Sequence, residues 1–199
     1  MFPLAEHMAQ DADRSDISAF LAGSREALDR LVLRHQDRIF NLCWRLLGDS
    51  GEAEECAQET FVKVFRSLKG FRLESSFSTW LYAIAVNTCK NRRNSAETRF
   101  WNRVLRFGQN SNEEEEFPEI EIEDAAPSAL ARMEERERHD SIQNAIDSLP
   151  HDWKTVIVLR HVEELSYEEI CEITGYNPGT LKSKLARARL QLQKKLQGI

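Results

Sequence analysis

The sequence predicts an all-α protein, two small helical domains joined by a flexible acidic linker. Three observations carry that expectation. Apolar residues recur at three- and four-residue spacing along most of the chain, which is the helical period. No stretch shows the sustained alternation of a half-buried strand. From Glu113 to Asp124 there are eight acidic residues and no basic one, with Pro118 inside the run, Pro127 beyond it and Gly108 to Asn112 just upstream. Such a segment cannot bury a core and repels itself, so it reads as an extended tether.

Taken in order, residues 1–15 read as an N-terminal tail and 16–95 as the first domain. A first helix carries Ala27, Leu28, Leu31, Val32, Ile39, Leu42 and Leu46 between the breaks Gly23-Ser24 and Gly48-Asp49. A second begins near Ser50 and carries Ala53, Cys56, Ala57, Phe61, Val64, Phe65 and Leu68 before Gly70 ends it. A third runs from about Ser78 to Asn94, with Trp80, Leu81, Ile84 and Thr88 on one side. Residues 96–132 are the expected linker. The second domain, 133–199, is led by a helix through Leu130, Met133, Ile142 and Ile146 that stops at Pro150, and continues with another from Trp153 to about Val162 and a final pair.

That final pair holds the strongest local signal. Ser166 can cap a helix while Glu169 reaches back to its amide, and Leu165 and Ile170 occupy the two staple positions. Gly175 supplies a left-handed stop, and Pro178 opens the next helix, where a missing N–H does no harm. Leu181, Leu185, Ala188, Leu192 and Leu196 then form one apolar stripe. A short capped helix, a Gly-containing turn and a basic amphipathic helix is the helix-turn-helix pattern. Ser183, Arg187 and Lys194 point opposite the stripe; Lys182 and Arg189 lie on one flank, Thr180 and Lys184 on the other. Leu190 also points outward.

Charge is segregated along the 199 residues. The net charge is −6, and removing the −8 of the acidic run leaves +2 for the rest. Asn177 to Ile199 holds six basic residues and no acid; Ala85 to Phe107 holds six against Glu97 alone. Either patch could be a solvated face, but two joined by an acidic tether suit nucleic acid. Phe77, Trp80 and Tyr82 precede Asn87, Lys90, Asn91, Arg92 and Arg93, and aromatics beside cations suit a single strand. Trp80, with Leu81 and Ile84, reads first as core.

Several classes are excluded. The longest uncharged run, Ser75 to Cys89, has 15 residues including Ser, Thr and Asn, too short and polar to span a membrane. The N-terminus lacks a signal peptide's basic start and apolar core, so a cytoplasmic protein is expected. Cys43, Cys56, Cys89 and Cys171 have no CxxC spacing and no nearby His, and are expected to be reduced. His7, His35, His139, His151 and His161 form no metal or triad pattern, so no metal, cofactor or catalytic residue is expected.

The ordered set of motifs carries a resemblance. Ala57-Gln58-Glu59-Thr60-Phe61-Val62-Lys63-Val64-Phe65 is followed by Phe77-Ser78-Thr79-Trp80-Leu81-Tyr82-Ala83-Ile84-Ala85-Val86-Asn87. Downstream come Leu165-Ser166-Tyr167-Glu168-Glu169-Ile170 and Gly179-Thr180-Leu181-Lys182-Ser183-Lys184-Leu185-Ala186-Arg187-Ala188-Arg189. In this order and spacing they resemble the extracytoplasmic-function (ECF) group of bacterial RNA polymerase sigma factors, over about residues 16–95 and 133–199.

The resemblance implies a sigma region 2-like bundle and a sigma region 4-like helix-turn-helix. It implies docking on core RNA polymerase, through the β′ clamp coiled coil and the β subunit, with Glu55, Gln58, Glu59, Phe61, Val62 and Phe65 as the contacts. Phe77, Trp80, Asn87, Lys90, Asn91 and Arg92 become candidates for the promoter −10 element, and Thr180, Lys182, Ser183, Lys184, Arg187 and Arg189 for the −35 element. An anti-sigma factor is the expected regulator. With no Walker loop, promoter opening must be driven by binding. Three positions depart from the family pattern: Pro178 lies one place later than usual, Cys171 replaces a common Ala, and Asn91-Arg92-Arg93 replaces a spaced acid and Arg. A stand-alone helix-turn-helix regulator remains the alternative reading, and a metal-dependent nuclease a more distant one.

Overall fold

The computed structural model describes residues 3–106 and 141–196, with side chains for 11–95 and 141–196. Every regular element among them is helical. The acidic run lies outside the described residues.

The first group contains α1 (Pro3–Leu21), α2 (Arg25–Leu47), α3 (Ser50–Ser67), a 3-10 turn at Leu68–Gly70, and α4 (Phe77–Arg106). In α2 the residues at spacings of three and four, Leu31, His35, Ile39, Leu42 and Leu46, are buried. Gly48 ends the helix at φ 81°, a left-handed conformation that β-carbon sterics disfavour elsewhere. Asp49 then caps α3, accepting from the Glu52 amide at 2.6 Å. At α4 the cap is Ser76, whose Oγ accepts from the Thr79 amide at 3.0 Å.

Two boundaries differ from expectation. Residues 1–15 are the expected tail, yet Pro3 onward belongs to α1. The helix is held by charge: Asp13 is only 2% exposed and accepts from Arg34 Nη1 at 2.5 Å, with His35 Nε2 at 3.0 Å. Asp16 pairs with Arg30 and Arg34 at 2.6 Å, and Ile17 is buried. The two arginines hold the Asp16 carboxyl below its usual range against the opposing effect of burial, the largest single influence on it. The third helix was expected to stop near Asn94, but α4 continues to Arg106. Residues 95–106 contain neither Gly nor Pro, and the first breaker is Gly108.

The second group contains helical residues 141–147 (α5), α6 (His151–His161), α7 (Tyr167–Thr174) and α8 (Pro178–Leu196). The expected capping box is present: the Ser166 amide donates to Glu169 Oε2 at 2.8 Å and the Glu169 amide to Ser166 Oγ at 3.1 Å. Gly175 closes α7 at φ 70°, its N–H on the Cys171 carbonyl at 2.9 Å. Asn177, unnoticed in the sequence, caps α8 by accepting from the Thr180 amide at 2.8 Å.

The two groups pack on one another, α7 against α4 and α6 against α2, and share a continuous hydrophobic core. This explains α6, where six consecutive residues from Lys154 to Leu159 are buried. One side meets α7 and α8, the other meets α2. Buried Lys154 is neutralised by Asp147 at 2.6 Å. Across the junction Tyr82 donates its hydroxyl to Glu163 at 2.5 Å, and Arg38 approaches the same carboxylate at 3.8 Å. Burial, followed by the Glu163 charge, raises the Tyr82 hydroxyl above its ordinary range.

His151 sits at this junction, at the first position of α6, with both ring nitrogens buried and lacking a hydrogen-bond partner. Burial is the main influence lowering its pKa; Arg93, Lys154 and Lys90 add to it, and Asp152 opposes. The positive end of the α6 dipole disfavours the imidazolium further. A folded-state pKa below the unfolded value of about 6.5 gives stability that is complete above that pH and lost as pH falls through the folded value. Urea unfolding from pH 7.5 to 5.5 is expected to show falling stability with proton uptake, and His151→Gln to flatten the slope. His161, lowered by burial and Arg189, contributes in the same direction. An equal slope in His151→Gln would remove His151 from the account.

Candidate nucleic-acid and partner interfaces

The α8 surface follows from its buried side. Leu181, Leu185 and Ala188 are 0%, 1% and 0% exposed, as the stripe predicts, so the opposite face must look outward. Lys182, Ser183, Arg187 and Arg189 are exposed there. Lys184 is instead half-buried, its Nζ 2.7 Å from Asp152 Oδ2 and 4.8 Å from the centre of the Tyr176 ring. It ties α8 to α6 and holds the Asp152 carboxyl below its usual range. Thr180 is half-buried, with its amide taken by Asn177 and its carbonyl accepting from Ser183 Oγ at 2.8 Å. Arg189 Nη2 lies 3.3 Å from His161 Nε2. Leu190 points outward, as its register requires. Lys182 and Arg187 are thus exposed cations of the outward face, one on each side of Ser183.

On α4, Asn87, Lys90 and Asn91 are exposed at positions i, i+3 and i+4, which makes one polar face. The aromatic candidates sit elsewhere. Phe77 is 4% exposed, with ring centroids 5.3 Å from His35 and 6.1 Å from Phe71. Trp80 is half-buried, 4.9 Å from Phe71 and 5.9 Å from Phe77. The structure moves Phe77 from the interface to the interior, because the 71–76 loop folds Phe71 back over the start of α4. Arg92 also faces away from the polar strip, toward α3, where it meets Glu52 at 3.0 Å, Glu55 at 2.5 Å and Glu59 at 3.7 Å.

The third surface is a groove of about 710 Å³ between α2 and α3, with Leu28, Val32 and Phe40 on one wall and Gln58, Phe61 and Phe65 on the other. Val62 and Phe65 are exposed large apolar residues, and so are Leu33, Phe40 and Trp44 on α2. Glu54 accepts from Gln58 Nε2 at 3.2 Å, and Lys63 pairs with Glu59 at 2.8 Å. Lys63 and then Arg92 hold the Glu59 carboxyl below its usual range, against burial. Of the docking candidates on α3, Gln58, Phe61, Val62 and Phe65 line the groove, whereas Glu55 and Glu59 are not among its lining residues. On the α2 wall Phe40 was missed, although it lies outside the buried stripe of α2.

Cys43, Cys56, Cys89 and Cys171 are free. The first three are buried, and thiol–thiol hydrogen bonding raises the pKa of Cys56 through Cys89 and of Cys89 through Cys43, with burial acting the same way. Cys56 and Cys89 are therefore protonated packing residues, poor nucleophiles. Among the described residues no group of three or more His, Cys, Asp or Glu could hold a metal ion, and no helix is long and apolar enough to cross a membrane.

A helix-turn-helix with an outward basic face, carried beside a bundle with an acidic and apolar groove, is the architecture of a helix-turn-helix transcription factor with a second candidate interface. Comparison with known proteins narrows the class. Residues 31–99 match the family model for sigma-70 region 2, and residues 139–192 that for sigma-70 region 4. The RNA polymerase sigma-H factor of Pseudomonas aeruginosa is 34% identical over 96% of each chain. The ECF RNA polymerase sigma-E factor of Haemophilus influenzae is 35% identical over 94% of this chain and 97% of its own. In fold, the chain is similar to CnrH, solved in complex with the cytosolic domain of CnrY, at a TM-score of 0.64 and 21% identity, covering 94% of this chain and 99% of that one. It is also similar to the Bartonella quintana sigma factor RpoE, solved with the anti-sigma factor NepR, at a TM-score of 0.62 and 22% identity over 85% and 96%. The chain belongs to the ECF group of RNA polymerase sigma factors. Its function is to direct RNA polymerase to specific promoters.

Proposed function

We propose that the three surfaces divide that function. The α2–α3 groove and its acidic rim dock on core polymerase at the β′ clamp coiled coil, where exposed Val62 and Phe65 supply apolar contact and Glu55 and Glu59 attract basic residues. The polar face of α4, with Asn87, Lys90 and Asn91, receives the −10 element, and an unpaired base is trapped there at an unstacking cost of a few kcal/mol. The α8 face reads the −35 element in the major groove through Lys182, Ser183, Arg187 and Arg189. Neither face need bind tightly alone, since tethering through polymerase raises the effective concentration of each. The observation that supports this division most is the exposed cationic face of α8 opposite a fully buried stripe.

Run-off transcription with bacterial core polymerase on a fragmented host genomic library tests the reading. Discrete transcripts that depend on this protein are expected, and their start sites will define both promoter elements. Arg187→Ala should then weaken use of a mapped promoter by about 1–3 kcal/mol. A footprint by the protein alone, with no dependent transcript, would favour the stand-alone regulator.

We also propose control by an anti-sigma factor, as in the solved RpoE complex. A pull-down that recovers polymerase but no small inhibitor would oppose it.

A further inference from the structure

Glu52, Glu55 and Glu59 follow one another at spacings of three and four along α3, so their carboxylates share a helix face. Three like charges there repel, and the structure relieves them from outside the helix. Arg92, on α4, sets its guanidinium against all three. Its side chain is 21% exposed, whereas those of the three glutamates are 51%, 67% and 45% exposed. The arginine therefore occupies the inner side of the cluster, and the outer lone pairs of the carboxylates remain open to solvent. Lys63 adds a second cation on Glu59 alone. Together the five groups carry a net charge of −1, so basic residues that a partner sets on the open side of Glu52 and Glu55 reverse that sign and weaken the attraction holding Arg92. Arg92 also follows directly on Lys90 and Asn91 of the exposed polar face in the sequence.

We propose that Arg92 is an internal counter-cation whose ion pairs are exchanged on docking. In the free protein it occupies the acidic face of α3. When basic residues of core polymerase take Glu52 and Glu55, the guanidinium is released toward the promoter strand held on α4. Arg92 is then a positioning residue that couples docking to strand capture, rather than a base reader poised in the free protein. This inference rests on the docking reading of α3 given above.

The test measures the affinity of the full-length labelled chain for core polymerase, and transcript yield at saturating protein from a promoter mapped by run-off. Arg92→Gln removes the competitor, so it should bind core polymerase about two- to fivefold tighter, the fold-change of one exposed ion pair. Its transcript yield should nevertheless fall several-fold. Arg92→Lys keeps a cation and should preserve wild-type affinity and most of the yield. If Arg92→Gln does not fold, Arg92→Met, which keeps the apolar stem, takes its place. Unchanged or weaker core binding by the folded neutral variant would overturn the exchange, as would wild-type transcript yield. The combined variant E52Q, E55Q and E59Q separates the two readings: wild-type core affinity in that chain would remove docking from α3 altogether, whatever Arg92 does.

Discussion

Asp13→Ala is expected to destabilise the protein by about 3–5 kcal/mol, the range for removing one partner of a buried ion pair. The reason lies in what it leaves behind. Asp13 is almost wholly enclosed and serves both Arg34 and His35, so its loss strands a buried imidazole and the Nη1 donors of an arginine. Arg34 keeps Asp16, but only through its other amino group. His35 packs edge-on against Phe77, which in turn contacts Phe71 and Trp80, so the disturbance passes from α1 through α2 to the start of α4. Urea unfolding followed by far-UV circular dichroism measures the change. Asp13→Asn, which keeps the shape and one acceptor, should fall between wild type and Ala. A loss below about 1 kcal/mol for Asp13→Ala would mean that α1 is dispensable to the bundle and that the segment behaves as the tail first expected.

Leu185→Ala should have the second large effect, about 2–5 kcal/mol, as for other fully buried leucines. Leu185 sits in the middle of the stripe that seats α8 on α6 and α7. The cavity left behind cannot be filled by α6, whose buried run is already shared with α2. The functional readout is distinct from that of Arg187→Ala, which removes a contact from an intact face. In Leu185→Ala the whole face is unseated, so promoter use should fall together with the melting transition. Conversely, full thermal stability with lost promoter use would place Leu185 in the interface and contradict its burial.

Much of the fold was legible because it is fixed by near neighbours. The α7 capping box, the Gly175 stop, the Pro178 start and the Leu181–Leu185–Ala188 stripe are all patterns within eight residues, and each is found where the sequence places it. The same holds for the breaks at Gly48-Asp49 and Pro150. By contrast α1 was invisible, since its early residues carry no strong apolar stripe and its anchors are charges. Nothing near Asp13 and Asp16 in the chain marks them as anchors, because Arg34 is brought against them from eighteen to twenty-one residues away.

The candidate site divides along the same line. Amphipathic periodicity alone determined that α8 presents a basic face, while the docking set on α3 and the set of Asn87, Lys90 and Asn91 came from the resemblance carried by the ordered motifs. Only the tertiary structure decided which of those charges are available. Lys184 is taken by Asp152 from α6, Arg92 by three glutamates from α3, and Phe77 is enclosed by His35 and Phe71. It alone decided that the two helical groups close on each other through Tyr82, Arg38 and Glu163. The physical reason is range. Helix periodicity and capping are set within one or two turns of chain, whereas an ion pair or an aromatic contact is set by distance in space, and a residue's position in the sequence does not reveal what folding brings beside it.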